Sequence, residues 1–202
     1  QTDGLKALIG RGVLHGFYER QIYYLYEHSM QDRAEANYKP KIKDFMFTIV
    51  STKQEADKLI SSGFNLHLNV TDARHRLDKG AIAFCVFIGQ DLASIGFIAT
   101  TQDAMDSLNQ PPIKVNFSKG EVCTGGGWTN PKYRALGLAT YLYFKRLQSL
   151  KDEGKVIARA AVLKDNIASH KTHARFAPRI WAEGHASRVL WHIFWKEIPF
   201  LK

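Results

Sequence analysis

The segment AIAFCVFIGQDLASIGFIAT (residues 81–100) does most to limit what this chain can become. Two apolar runs, 81–88 and 92–100, flank Gly89-Gln90-Asp91, and a short polar turn between such runs predicts an antiparallel hairpin. The chain is therefore built on a sheet. Further strands are predicted at 45–50, 113–117, 121–128 and 189–195, and QIYYLYEH alternates Ile22, Tyr24 and Tyr26 as a half-buried strand does. The β-branched run 156–163 reads as a buried strand. Residues 1–40 are otherwise the least legible, and YKPKIK (38–43) reads as a basic connector.

Helix signals fall between these strands. Thr52 and Glu55 offer a capping box for a helix through Ala56, Leu59 and Ile60, closed by Gly63. A short helix is expected at 103–108, ended by Pro111-Pro112. Beyond Gly137, the residues Ala139, Tyr143, Leu147 and Leu150 share one face of a helix that Gly154 ends. A polar helix is expected over 166–176. An antiparallel meander followed by helix, strand, helix and strand predicts an α/β protein with helices on the faces of its sheet.

With 45% apolar residues, the 202-residue chain can bury the core of one domain. No apolar run reaches the length of a membrane span. There is no signal-peptide pattern, although a start at Gln1 rather than methionine is compatible with a trimmed leader. Cys85 and Cys123 lie far apart without CxxC spacing, which predicts reduced, packed thiols and a cytoplasmic location. The formal charge of +9 favours an anionic partner such as nucleic acid, a membrane surface, a phosphorylated cofactor or an acidic carrier protein. Its cations are scattered among 19 acids, however, so charge alone selects none of these.

The residues with the clearest chemistry run from 125 to 140. Gly125, Gly126 and Gly127 would let a strand bulge and splay, leaving main-chain groups free to pair with an extended ligand. The loop TNPKYRALG then enters a helix at once. A helix N-terminus offers unpaired N–H groups and partial positive charge to a phosphate. Gly137 lacks the Cβ that would hold an anion off the main chain, and Arg134 either donates to that anion or braces the loop. The arrangement suits a pyrophosphate with an extended arm. It does not suit a nucleoside triphosphate, because neither GxxxxGK[ST] nor a GxGxxG after a first strand occurs.

Arg134-Ala135-Leu136-Gly137-Leu138-Ala139 resembles the R/Q-x-x-G-x-G/A signature of the GNAT superfamily of acyl-CoA-dependent N-acyltransferases, and WTNPKY (128–133) resembles its lead-in. Asn166 and Ser169 resemble the family's second motif, and the likeness covers residues 81–183. It implies a GNAT-like α/β fold: a mixed, largely antiparallel central sheet with helices on both faces. Residues 81–202 would form the acyl-CoA-binding core, and residues 1–80 the acceptor-side part of the same domain. The cosubstrate implied is acetyl-CoA or another acyl-CoA. Arg134, Ala135 and the amides of Leu136, Gly137, Leu138, Ala139 and Thr140 would hold its pyrophosphate. Trp128 and Thr129 would pair with the pantetheine, with Asn166 and Ser169 on its far side.

The family's usual acid is a tyrosine seven residues beyond that asparagine, and here the position holds His173. A histidine can exchange a proton near neutral pH, or His173 is a surface residue of a polar helix. His170 lies at i−3 without a third ligand nearby, so no metal is expected. Glu121, at the start of the strand leading to the glycines, is the candidate base or else a strand-end surface charge. It shares strand parity with Cys123, which reads as packing rather than a nucleophile. Main-chain N–H groups beside 126–128 are candidate donors to the thioester oxygen.

The leading expectation is acyl transfer to the primary amine of a small-molecule or peptide acceptor. Two other readings stay open. One is an enzyme resembling N-acyl amino acid or homoserine lactone synthases, taking its acyl chain from acyl carrier protein, which a basic surface would suit. The other is a CoA- or nucleic-acid-binding module without activity, which the missing tyrosine would suit. Arg188, His192 and Lys196 interleave aromatics in 181–200, yet no RNP-like motif accompanies them, and nucleic acid is disfavoured. That segment reads as a last strand plus core.

Overall fold

The protein is described by a computed structural model over residues 18–66, 72–189 and 192–200. The hairpin expected from 81–100 is formed by β3 (Ile82–Ile88) and β4 (Asp91–Ala99). Both strands are apolar on both faces and buried along nearly their whole length. They sit inside a sheet completed by β1 (Tyr18–Ser29), β2 (Met46–Val50), β5 (Glu121–Thr129), β6 (Ile157–Leu163), β7 (Arg179–Val189) and β8 (His192–Pro199). The strand order is β2-β3-β4-β5-β6-β1-β7-β8. Every neighbouring pair is antiparallel except β5 and β6, which run parallel.

A parallel pair needs a crossover, and the helix α4 (Leu138–Asp152) makes it. The remaining helices are α1 (Lys53–Ser61), α2 (Ala73–Asp78), α3 (Gln102–Ser107) and α5 (Ile167–Ala174). Their caps are local and readable. Thr52 and Glu55 form the reciprocal box at α1, Thr101 caps α3, and Asn166 caps α5 through the amide of Ser169. α1 to α3 cover one face of the sheet, around Leu77, Phe87, Ile95, Phe97, Met105 and Leu108. α4 and the segment 38–47 cover the other, around Phe84, Ile98, Val122, Tyr143, Phe144 and Phe176. The result is the mixed, largely antiparallel sheet with helices on both faces that the motif implied. Among the described residues no helix is long and apolar enough to cross a membrane.

Two expectations need correction, and two features go beyond what the sequence predicted. Residues 113–117 are not a strand: Pro111 and Pro112 have no N–H to give a ladder, and the amide of Lys114 is taken by Glu197 at 3.0 Å. Ile113 is buried there as part of a loop. The aromatic run 189–195 is not one strand but spans the end of β7 and the start of β8, and residues 190 and 191 lie outside the described residues. The helix α2 has no counterpart in the sequence reading. Finally, α4 buries more than the stripe through Ala139, Tyr143, Leu147 and Leu150. Tyr38 stacks between Phe144 and Phe176 at 5.0 and 4.8 Å, and Phe45 lies edge-on to Tyr141, so the connector covers a second side of the helix. Of the poorly legible N-terminus, residues 1–17 lie outside the described residues.

The β7–β8 hairpin depends on one missing side chain. The ring of Trp195 lies across Gly184, and an added Cβ would stand 2.1 Å from its Cη2. Trp195 also meets Tyr23 of β1 edge-on at 5.8 Å, so the ring is held on a second side. Gly184→Ala is expected to lower unfolding free energy by about 1–3 kcal/mol through overpacking, measured by urea denaturation.

Candidate functional site

β5 is paired with both neighbours only at its start. It bonds to β6 from Glu121 to Cys123, opposite Ile157 to Arg159, and from Thr124 onward the strands part. On the β4 side the register slips, with Ile95 facing Trp128 but Phe97 facing Gly125, so Gly96 stands against both Gly126 and Gly127. This is a β-bulge, and Gly126 adopts φ 59° within it. A bulge turns successive residues to one face. A Cβ on Gly125 would meet the amide of Gln110 at 2.8 Å, and one on Gly126 would meet Arg76 Nη1 at 2.6 Å. On the opposite face Arg146 of α4 lies against Gly96, and its Nη1 donates to the carbonyl of Phe97 at 3.2 Å. Desolvation lowers the Arg146 pKa to about 10, which leaves it cationic at neutral pH.

The parting leaves the β6-facing edge of β5 without a strand partner beyond Cys123. Thr124 marks where it begins: its Oγ1 donates to the carbonyl of Arg159 at 3.3 Å and lies 3.2 Å from the Tyr143 hydroxyl. Past the glycines, Ser94 Oγ donates to the carbonyl of Trp128 at 3.0 Å and lies 2.9 Å from Thr129 Oγ1, fixing the far end of the edge to β4.

From Thr129 the chain turns through Asn130, which caps a 3-10 turn at Pro131–Tyr133, and the Tyr133 hydroxyl donates to Asp91 at 2.7 Å. Arg134 Nε donates to the carbonyl of Thr129 at 3.4 Å, which braces the loop. Ala135 and Gly137 both take left-handed backbone, with φ 63° and 83°. A residue with a Cβ visits that region rarely, and turns of this kind gather successive N–H groups into an anion-binding concavity. α4 starts without a side-chain cap, so the amides of Leu138, Ala139 and Thr140 have no partner within the helix. A Cβ at Gly137 would have only Pro40 Cα nearby, at 3.7 Å. The connector lies along this loop, since the Lys41 amide donates to the Leu136 carbonyl at 2.9 Å. Lys39, Lys41 and Lys43 of this connector are exposed.

No protein-family model matches the sequence, and no curated protein is significantly similar to it. Solved structures are similar. An acetyltransferase from the GNAT family of Colwellia psychrerythraea superposes with a TM-score of 0.51 at 12% identity, over 95% of this chain and 62% of that one. A GCN5-related N-acetyltransferase from Kribbella flavida gives 0.52 at 10% identity, over 89% and 63%. A tandem GNAT protein from the clavulanic acid biosynthesis pathway gives 0.52 at 14% identity, over 100% of this chain and 61% of that one. The fold is the GNAT fold. This chain spans about three-fifths of the length of these proteins.

Within this GNAT fold the remaining candidate residues divide. Asn166 and Ser169 meet each other, the Asn166 side chain accepting from the Ser169 amide at 3.1 Å as the cap of α5. Glu121 is held by Arg159, whose Nε and Nη2 donate to its two oxygens at 2.7 and 2.8 Å, and it also accepts from the Asn116 amide. The bond from Arg159 is the main cause of its lowered pKa. A carboxylate so paired is a weak base, so Glu121 braces the start of β5 instead. Cys85 and Cys123 are free and buried, and burial raises both thiols to about 12, which removes them as nucleophiles.

His173 is neither at the surface nor isolated. It is buried on α5 with its Nδ1 2.9 Å from His28 Nε2, its ring stacked on Tyr26 at 4.7 Å and edge-on to Tyr143 at 4.6 Å. Tyr26 in turn bonds His170 Nδ1 at 2.7 Å, and His170 Nε2 donates to the carbonyl of Lys164 at 3.2 Å. The signals for this cluster were present in the alternation Tyr24, Tyr26, His28 and the i, i+3 spacing of His170 and His173. Burial is the main cause that pushes His28 down to about 3 and His173 well below its usual value, with Arg146 adding to both. Among the described residues no group of three or more acidic, cysteine or histidine side chains could hold a metal.

These neutral histidines set an acid limit on stability. Unfolded, each binds a proton near pH 6.5; folded, His28 does so only at about 3. The stabilisation is complete above 6.5 and is lost as pH falls from there towards 3, because the unfolded state then holds the extra protons. Urea denaturation is expected to show a loss of up to about 1.4 kcal/mol per pH unit for each histidine. The double variant His28→Gln/His173→Gln should show a shallower acid limb in the same measurement.

Proposed function

We propose that this protein transfers an acyl group from acyl-CoA to a primary amine. The observation that carries the reading is the sequence of three features along one stretch of backbone: a bulge at Gly125–Gly127, an unpaired strand edge, and an uncapped helix N-terminus behind two left-handed turns. An extended thioester ending in a pyrophosphate fits that succession. Ala135, Leu136, Gly137, Leu138, Ala139 and Thr140 would hold the pyrophosphate through main-chain amides. Arg134 acts by bracing the loop, and Trp128 and Thr129 by presenting the β5 edge to the pantetheine. The free, buried thiols fit a reducing, cytoplasmic setting.

In the transfer the amine nitrogen bonds to the thioester carbonyl carbon, the C–S bond breaks, the nitrogen loses a proton and the thiolate gains one. Amides of the bulge would donate to the carbonyl oxygen. For the thiolate, His173 is a poor acid, since burial keeps it unprotonated at neutral pH. Tyr143 fits the role better. Its phenol is raised to about 12, chiefly by burial, so it stays protonated, and it meets Thr124 where β5 and β6 part. Tyr143→Phe is expected to lower kcat by about 10²-fold, the low end for a positioned acid because a thiolate can leave unprotonated. Acyl-CoA affinity should stay within about threefold, since the proton is needed only as the C–S bond breaks.

The anion site is tested by an isosteric pair at Gly137. Asn and Asp both tolerate left-handed backbone better than other side chains, and the space beside Gly137 admits a Cβ. Calorimetry with acetyl-CoA should show Gly137→Asp without measurable binding and Gly137→Asn weakened by about tenfold or less. Equal binding by the two folded variants would remove the pyrophosphate from this helix.

A further inference from the structure

The bulge has a second face, turned away from α4 and the anion concavity. Gly125 and Gly126 are partly exposed there, and Gln110 and Arg76 rest on them with no side chain between. Arg76 lies 4.9 Å from the centre of the Phe97 ring, and both its Nε and the Oε1 of Gln110 are buried without a hydrogen-bond partner. Among the described residues no carboxylate is within ion-pair distance of Arg76, and Asp72, one turn earlier, acts on it only from further off. Arg159 on the same face is different: it is paired with Glu121 and Glu27. A guanidinium packed on a ring and bare backbone, with no acid to answer it, is costly to keep.

We infer that the acceptor is an amine carrying a carboxylate close to its nitrogen, the carboxylate held by Arg76 and the amine by the Gln110 carbonyl oxygen. This rests on the acyl-transfer reading. With α4 filling one face of the bulge, an acyl group lodged at the bulge is open to a nucleophile from the other, and Arg76 and Gln110 are what the nucleophile meets. The planar fork of arginine matches a carboxylate, and an amide oxygen accepts from an amine N–H. The two side chains rest on consecutive residues, so their polar ends suit functional groups only a few bonds apart. An amino acid has that spacing. An amine without an acid would leave Arg76 unanswered.

Alanine, phenylalanine and glutamine, each set against its own amide, test this. Acylation is followed by thiol release from acetyl-CoA, and binding by saturation-transfer NMR, which needs no turnover. At least one acid should exceed its amide by about tenfold or more in kcat/KM, equivalent to about 1.4 kcal/mol. Arg76→Met should bring that ratio close to one, and Arg76→Lys should restore part of it without the fork. Gln110→Leu should weaken acid and amide alike, because both carry the amine. Acids and amides handled equally by the wild-type protein would overturn the inference, as would an unchanged ratio in a folded Arg76→Met protein. Failure of the acyl-transfer reading looks different: no acetyl-CoA binding by calorimetry and no thiol release with any amine. The NMR comparison would then still decide for or against the carboxylate site.

Discussion

Arg146 reaches from α4 into the protein interior and donates to the main-chain carbonyl of Phe97, with the ring of Tyr143 4.6 Å from its guanidinium carbon. A buried cation of this kind costs several kcal/mol unless something answers it. Here the answer is partial: one carbonyl, one aromatic face, and a Nε left without a partner. What the placement secures is the bulge. Arg146 occupies the space a side chain at 96 would need, and Gly96 is the residue against which Gly126 and Gly127 slip register. The slip aims the end of β5 away from β6. The loop at 130–137 and the start of α4 then follow from where β5 ends. A change in the interior at Arg146 therefore acts, through β4 and β5, on the start of its own helix.

Much of this was legible because it is local. The hairpin at 81–100, the box at Thr52 and Glu55, the glycines at 125–127 and the Arg134–Ala139 signature each depend on residues near one another, and each is found where the sequence placed it. The misses come from contacts at long range. Lys114 is kept out of a ladder by Glu197, far along the chain, and Glu121 is paired with Arg159 on the next strand. His173 lay on a helix that reads as polar, but β1 inserts between β6 and β7 and brings His28 and Tyr26 against it. Nothing in the polar pattern of 166–176 signals that insertion, since it is made by an N-terminal strand. Arg76 belongs to a six-residue helix too short to have a clear period.

The histidine cluster and the two guanidiniums follow one electrostatic logic. Around the parting of β5 and β6 the titratable groups are held neutral by burial, as His28, His173 and Tyr143 are, while the arginines keep their charge. Two carboxylates there, Glu121 of β5 and Glu27 of β1, are already bound to Arg159. What is left unanswered is positive.

That sign suits the proposed reaction at both ends. An ammonium must become a neutral amine before it can attack, and a nearby cation favours the neutral form by lowering its pKa. A thioester sulfur must then leave as a thiolate, and the same cation favours the charge it gains. Both changes remove positive charge from, or add negative charge to, the reacting atoms, so a fixed guanidinium assists the two steps without gaining or losing a proton itself. A histidine cannot do this as well here, because the burial that places it beside the site also strips its charge. Arginine keeps its charge at a burial that discharges imidazole, and this difference explains how a position held by a proton-carrying tyrosine in the resembling family can become a buried neutral histidine. The positive charge is carried instead by Arg146, one helical turn beyond Tyr143.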